Sequence, residues 1–233
     1  MLNKRNLTDF YSQLAATAEV FSIIHESNNE LEKVIIGNLS ASEKKSVENP
    51  LLDAAQRLIL ANIHASELRA FAEFLCVYMH THNFKKQSSV PKNTNFIGDF
   101  VSLTDYDLLA KINLYNHTIN CALCAIEECK EQPQAIKDIV IVIALLHDFG
   151  KCSSILRQFN DKNENHEKIS ARFALNALID FDVSDELKNV IFATLFDYHT
   201  SDKEKEKTIF APIVIKADIT SRILEKKFLQ GRK

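Results

Sequence analysis

Four glycines and four prolines are all that the 233 residues contain. Turn-dense β architecture draws on both residue types, so their scarcity argues against it and favours long helices. There is no large excess of charge of either sign, since 28 Lys and Arg stand against 31 Asp and Glu for a formal charge of −3. That balance argues against a broadly basic nucleic-acid surface. No apolar run approaches the roughly 20 residues that cross a bilayer. Lys4 and Arg5 stand near the N-terminus, but Gln13, Thr17, Glu19 and Ser22 interrupt any signal-peptide core. Cysteine is sparse and odd in number, at five, which points to free thiols in a reducing compartment rather than a disulfide framework. The expectation is a cytoplasmic protein with no membrane partner.

What the chain does have is a hydrophobic content of 46%, enough for one large domain or one domain with a helical extension. Leu7, Phe10, Tyr11, Leu14, Ala18, Phe21 and Ile24 recur at helical spacing within residues 6–37. Asn49-Pro50 is a helix-start signal. Apolar positions from Leu52 to Tyr78 support one long helix, or two broken near Ala65-Ser66. Asn83 to Asn95 is the best linker candidate, and Phe96 to Leu103 suits a short extended piece. Thr104-x-x-Asp107 looks like a capping box opening a helical stretch from Leu108 to Cys129. Two segments follow: residues 1–95, helical plus linker, and residues 96–233, where the chemistry lies. The Lys/Glu run at 203–207 reads as a solvated loop.

The most informative stretch is Ile139-Val-Ile-Val-Ile-Ala-Leu-Leu-His147-Asp148-Phe-Gly150-Lys151. Eight apolar residues in a row are buried on every side, so their end delivers His147 and Asp148 into the interior. Burying an ionised carboxylate is costly unless a cation or a hydrogen-bond network compensates. The pair is thus a candidate metal site, and Gly150 fits a helix stop. The competing reading is a capped core helix whose His and Asp pair with neighbours. Cys121 and Cys124 form a C-x-x-C inside a helical pattern, without the second ligand pair that zinc sites need. They read as small buried thiols on the face that carries His117. His25, His64, His80 and His82 read as surface or helix-end residues.

His117 lies upstream of the pair, and Asp218 lies downstream in Ile213-Val-Ile-Lys-Ala-Asp218, after a Pro212 suited to a helix start. His166 opens His166-Glu-Lys-Ile-Ser-Ala-Arg-Phe-Ala-Leu, and His199 ends Val190-Ile-Phe-Ala-Thr-Leu-Phe-Asp-Tyr-His199. The order His, His-Asp, Asp resembles the HD superfamily of metal-dependent phosphohydrolases. The extra histidines, and His-Asp-Phe-Gly-Lys as an HD-x-G-K signature, resemble its two-metal branch, which includes the HD-GYP phosphodiesterases. No Gly-Tyr-Pro follows His199, so the likeness does not extend to cyclic-di-GMP hydrolysis.

The resemblance covers about half the chain and implies an all-α helical bundle with an N-terminal helical extension. It implies that His117, His147, Asp148 and Asp218 hold one metal, and that Asp148 bridges to a second held also by His166 and His199. Mixed imidazole and carboxylate donors suit Fe, Mn, Ni, Co or Zn better than Ca. Asp148 would be catalytic as the bridge. Lys151 would neutralise a phosphate oxygen, with Arg222 a weaker phosphate contact and Arg172 weaker still. The expected activity is hydrolysis of a nucleotide or other phosphoester. Two alternatives remain: a di-iron oxygenase with similar ligands, or a non-catalytic HD module for signalling or assembly. Nothing in the sequence excludes a homodimer.

Overall fold

A computed structural model describes residues 52–90, 107–159, 165–196, 198 and 208–231. Eight α-helices have both ends among them: α1 Ala54–Ala61, α2 Ser66–Thr81, α3 Leu114–Glu128, α4 Gln134–Leu146, α5 Ser153–Gln158, α6 His166–Ala177, α7 Asp185–Phe196 and α8 Ala211–Gln230. Among the described residues there is no strand, only one isolated antiparallel bridge between Ser88 and Asn113. The fold is all-α, as the scarcity of Gly and Pro requires. No helix of the described residues is long and apolar enough to cross a membrane.

Chain contacts draw two units, Met1–Ala61 and Asn62–Lys233. Of the first, α1 is described, with Leu52, Ala55, Ile59 and Leu60 buried. The helix expected over residues 6–37, the Asn49-Pro50 start, the extended piece at 96–103 and the 203–207 run lie outside the described residues.

In the second unit α4 is the axis. Val140 to Leu146 are all 0–1% exposed, so the uninterrupted apolar run does pack on every side. α3 lies against α4 and α8, α2 packs on α4, and α6 packs on α7. The break between α1 and α2 falls at residues 62–65. There the Asp138 carboxylate of α4 accepts the backbone N–H of His64 (3.1 Å) and Ala65 (2.8 Å). A remote carboxylate thereby satisfies donors that a local cap would otherwise take.

Three local expectations change. The helix bearing His117 starts at Leu114, not Leu108, because Asn113 caps it, its side chain accepting the Asn116 N–H at 2.7 Å. Thr104 lies outside the described residues, and the helical residues 107–109 are separated from α3 by a turn that begins at residue 110. Residues 83–90 are not a loose linker: Phe84 is fully buried with its ring 4.9 Å from that of Phe149, and Ser89 is fully buried too. Gly150 is not a helix stop. α4 ends at Leu146, and Gly150 belongs to a 3-10 turn, Phe149–Lys151, with no positive φ.

The need for glycine at 150 is one of space. A Cβ there would stand 1.9 Å from the His166 carbonyl oxygen and 2.9 Å from the Ser170 amide nitrogen. Ser170 clasps the same turn, accepting the Gly150 N–H at 2.7 Å and donating to the His147 carbonyl at 3.0 Å. Both contacts press the His147–Lys151 turn onto the first turns of α6. Gly150→Ala should therefore lower the unfolding free energy by about 1–3 kcal/mol or more, the usual cost of overpacking. Gly231→Ala, whose Cβ would meet nothing closer than 3.5 Å, should change it by under about 0.5 kcal/mol. Urea titration of the two variants measures both.

Candidate metal centre

Three elements deliver four side chains to one point. His117 comes from the first turn of α3, His147 and Asp148 from the end of α4, and Asp218 from the middle of α8. His117 Nε2 lies 3.3 Å from Asp148 Oδ2 and 3.2 Å from Asp218 Oδ1. His147 Nε2 lies 3.6 Å from the same Asp148 oxygen and 4.0 Å from the same Asp218 oxygen. The two histidines and Asp148 are 0–2% exposed, while the Asp218 side chain is 23% exposed and forms the open edge.

The far nitrogen of each imidazole fixes what the near one can do. His147 Nδ1–H donates to the Ala144 carbonyl at 2.7 Å, and burial pushes the His147 pKa down. With Nδ1 so engaged, Nε2 is the atom turned to the carboxylates. His117 Nδ1–H donates to Glu225 Oε1 at 3.0 Å, an oxygen that also accepts from Asn120 Nδ2 at 3.0 Å. Metal-ligating histidines are typically oriented by such an outer carboxylate or carbonyl.

His117 Nε2, His147 Nε2 and Asp218 Oδ1 are buried without an aligned hydrogen-bond partner among the described residues. Buried polar atoms are rarely left so, and three at one point suit a bound cation. His117, His147 and Asp148 offer ligand atoms all within 4.8 Å of one another. The donor set, imidazole nitrogen with carboxylate oxygen, fits a divalent transition metal.

Electrostatics agree with that fit. Burial and Arg222 act to lower the His117 pKa, yet Glu225, Asp148 and Asp218 outweigh them and raise it to about 10. Burial disfavours ionised Asp148, but Lys151, His147, His117 and His166 hold it well below the usual carboxylate range. Asp218 is held low against burial by His117, His147 and Arg222, and Glu225 likewise by His117, Arg222 and Asn120. These carboxylates call for positive charge, and a metal ion would compete with a proton for His117 Nε2.

The second group of expected residues is placed in part. His166 Nε2 lies 3.3 Å from Asp148 Oδ1 and 3.1 Å from Glu167 Oε1. Asp148 therefore turns Oδ2 to His117 and His147, and Oδ1 to His166. His199 lies outside the described residues, and α7 ends at Phe196 rather than running on to it. Tyr198, the residue before it, is 1% exposed, with its ring 6.0 Å from that of His147.

Lys151 Nζ donates to Asp148 Oδ2 at 2.7 Å and to the Ser89 carbonyl at 3.2 Å. Arg222 donates to Ser89 Oγ at 2.9 Å, to the Ser89 carbonyl at 3.2 Å and to Glu225 Oε2 at 3.2 Å. Its Nη2 is 3.8 Å from Asp148 Oδ2. Both cations thus border the centre, whereas Arg172 is exposed on α6. His80 and His82 form no metal pair, because His82 stacks on Tyr78 at 3.6 Å and its Nδ1 engages Thr81 and the Tyr78 carbonyl.

Sequence reasoning missed Glu225, Ser170 and Ser89. Glu225 had one usable signal, its place two helical turns beyond Asp218 on the same face of α8. The other two carry none, since their partners are distant in the chain.

Residues 114–223 match the family model described as HD domain. No curated protein and no solved structure matches the chain.

Two measurements probe the centre directly. Glu225→Gln keeps the shape of the His117 partner but removes its charge, and should weaken divalent-metal binding by roughly 10–100-fold, the usual effect of losing such an outer partner. Calorimetric titration with Mn(II) or Co(II) reads it. The His117 pKa is raised on folding from 6.5 to about 10. Its contribution to stability is therefore full below pH 6.5 and lost as pH rises through about 10. Chelator-treated protein should lose unfolding free energy across that window, and Glu225→Gln should flatten the loss.

Proposed function

We propose that the protein, whose residues 114–223 match the HD domain model, is a metal-dependent phosphohydrolase acting on a nucleotide or other phosphoester. The observation that carries this reading is the convergence of unpartnered His117 Nε2, His147 Nε2 and Asp218 Oδ1 beside a buried, ionised Asp148.

On this reading His117, His147, Asp148 and Asp218 hold one ion, and Asp148 shares a second with His166 and His199. The divided orientation of the two Asp148 oxygens supports the bridging role. Ions held in this way supply Lewis acidity toward a phosphoryl oxygen and acidify water for in-line attack.

The remaining work falls to the chain itself. Asp148 fixes the spacing of the two histidine groups. Lys151 has three N–H groups, of which Asp148 and Ser89 engage two. The third is available to a phosphate oxygen at the mouth of the site. Arg222, similarly anchored, adds a planar cation on the Asp218 side. Glu225 keeps the His117 Nε2 lone pair aimed inward by holding the proton on Nδ1. The nearly complete burial of His117, His147 and Asp148 keeps the dielectric low, so each of these interactions is stronger than in water.

Protein purified without chelator should carry close to two equivalents of transition metal. A value at or below one, unchanged by His166→Ala and His199→Ala, would refute the second ion. On a phosphoester that the wild type cleaves with Mn(II), Fe(II) or Ni(II), Asp148→Ala should abolish turnover. Lys151→Ala should keep wild-type metal content while kcat/KM falls on the order of 10²–10³-fold, the cost of one positioned electrostatic donor. Oxygen-dependent turnover with iron, in place of hydrolysis, would return the di-iron oxygenase reading.

A further inference from the structure

Cys121 stands one helical turn after His117 on α3, fully buried. A buried cysteine on an inward helix face is ordinarily a small apolar filler. Its neighbours here are of another kind. The ligand atoms of Cys121, His147 and Asp218 all lie within 4.8 Å of one another. Two of these residues each carry a buried atom left without an aligned hydrogen-bond partner, His147 Nε2 and Asp218 Oδ1, and His147 is only 2% exposed. A second ligand triad therefore shares His147 with the triad of His117, His147 and Asp148, and it brings a sulfur. Cys124, one turn further on, is buried as well but falls in neither group.

We propose that Cys121 is a sulfur ligand of the metal held by His117, His147, Asp148 and Asp218. This rests on the metal-binding reading given above and narrows the ion that the site takes. Thiolate is a soft donor, favoured by Zn, Fe(II), Co(II) and Cd(II) and shunned by Mg, Ca and Mn. A centre of imidazole and carboxylate alone would accept Mn readily, whereas one with sulfur at its wall discriminates against it. On coordination the S–H bond gives up its proton, which leaves to solvent or buffer, and a S–metal bond replaces it, so one extra proton is released per ion.

Cobalt(II) is the probe. Full-length protein stripped with chelator and given one equivalent of Co(II) should show visible ligand-field bands and an intense near-ultraviolet sulfur-to-cobalt charge-transfer band. Cys121→Ser should lose the charge-transfer band and keep the visible ones, while Cys124→Ser keeps both. Wild-type protein with visible bands but no charge-transfer band overturns the sulfur ligand and leaves the His/Asp centre standing. A Cys121→Ser variant that retains the charge-transfer band overturns it as well. Wild-type protein with neither band, and no Co(II) bound in equilibrium dialysis, removes the metal centre itself and the sulfur ligand with it. Cadmium NMR of the wild-type protein supplies the check that needs no substitution. A resonance in the range of sulfur-free nitrogen and oxygen sites overturns the proposal even if Cys121→Ser fails to fold.

Discussion

Ionised carboxylates in a dry place are the constraint around which the second unit is built. Asp148 is 2% exposed and Glu225 3%, and neither can remain charged there without positive partners. The protein answers with Lys151 and Arg222 and with a proton on His117. Each partner also fixes geometry. Lys151 is held from the turn that carries Asp148, and Arg222 from the helix that carries Asp218 and Glu225. His117 spans the gap between them from α3. Charge compensation and the convergence of α3, α4 and α8 are thus one event, and removing any member leaves an uncompensated buried charge, which is far costlier than the loss of a surface pair.

The path from sequence to site was short where the signal is local and long where it is not. Val140 to Leu146 announce a fully buried helix by apolar continuity alone, and the adjacent His147 and Asp148 inherit that burial. Asp218 is similar, approached through Ile213, Val214 and Ile215 and started by Pro212. The HD-x-G-K spacing marked Gly150, but for the wrong physical reason. Its requirement comes from the His166 carbonyl, and a backbone contact across 16 residues leaves no local pattern. The start of α3 shows the same limit. Thr104-x-x-Asp107 and Asn113 are both legitimate caps, and the sequence holds nothing local to rank one above the other. Glu225, 108 residues from His117, became visible only once α3 and α8 were side by side.

Asp138 and Ser170 illustrate a second kind of invisibility. Both spend their polar groups on backbone belonging to another element: Asp138 on the entry to α2, Ser170 on the His147–Lys151 turn. A side chain that caps a helix from a distance looks in the sequence like any polar residue on an amphipathic face. Such bonds remove buried donors that would otherwise be unsatisfied, and they make the turn and the first turns of α6 a single body. His166 therefore meets Asp148 through a preset contact rather than through a flexible loop.

The arrangement at Ser89 has a thermodynamic consequence of its own. Lys151 and Arg222 both donate to its carbonyl oxygen, and Arg222 also to its hydroxyl. A dipole shared by two cations shields their mutual repulsion without adding the negative charge that a further carboxylate would bring. An arriving anion would displace a neutral acceptor, so the exchange trades a weak ion–dipole contact for a full Coulombic one, and its driving force grows with the anion's charge.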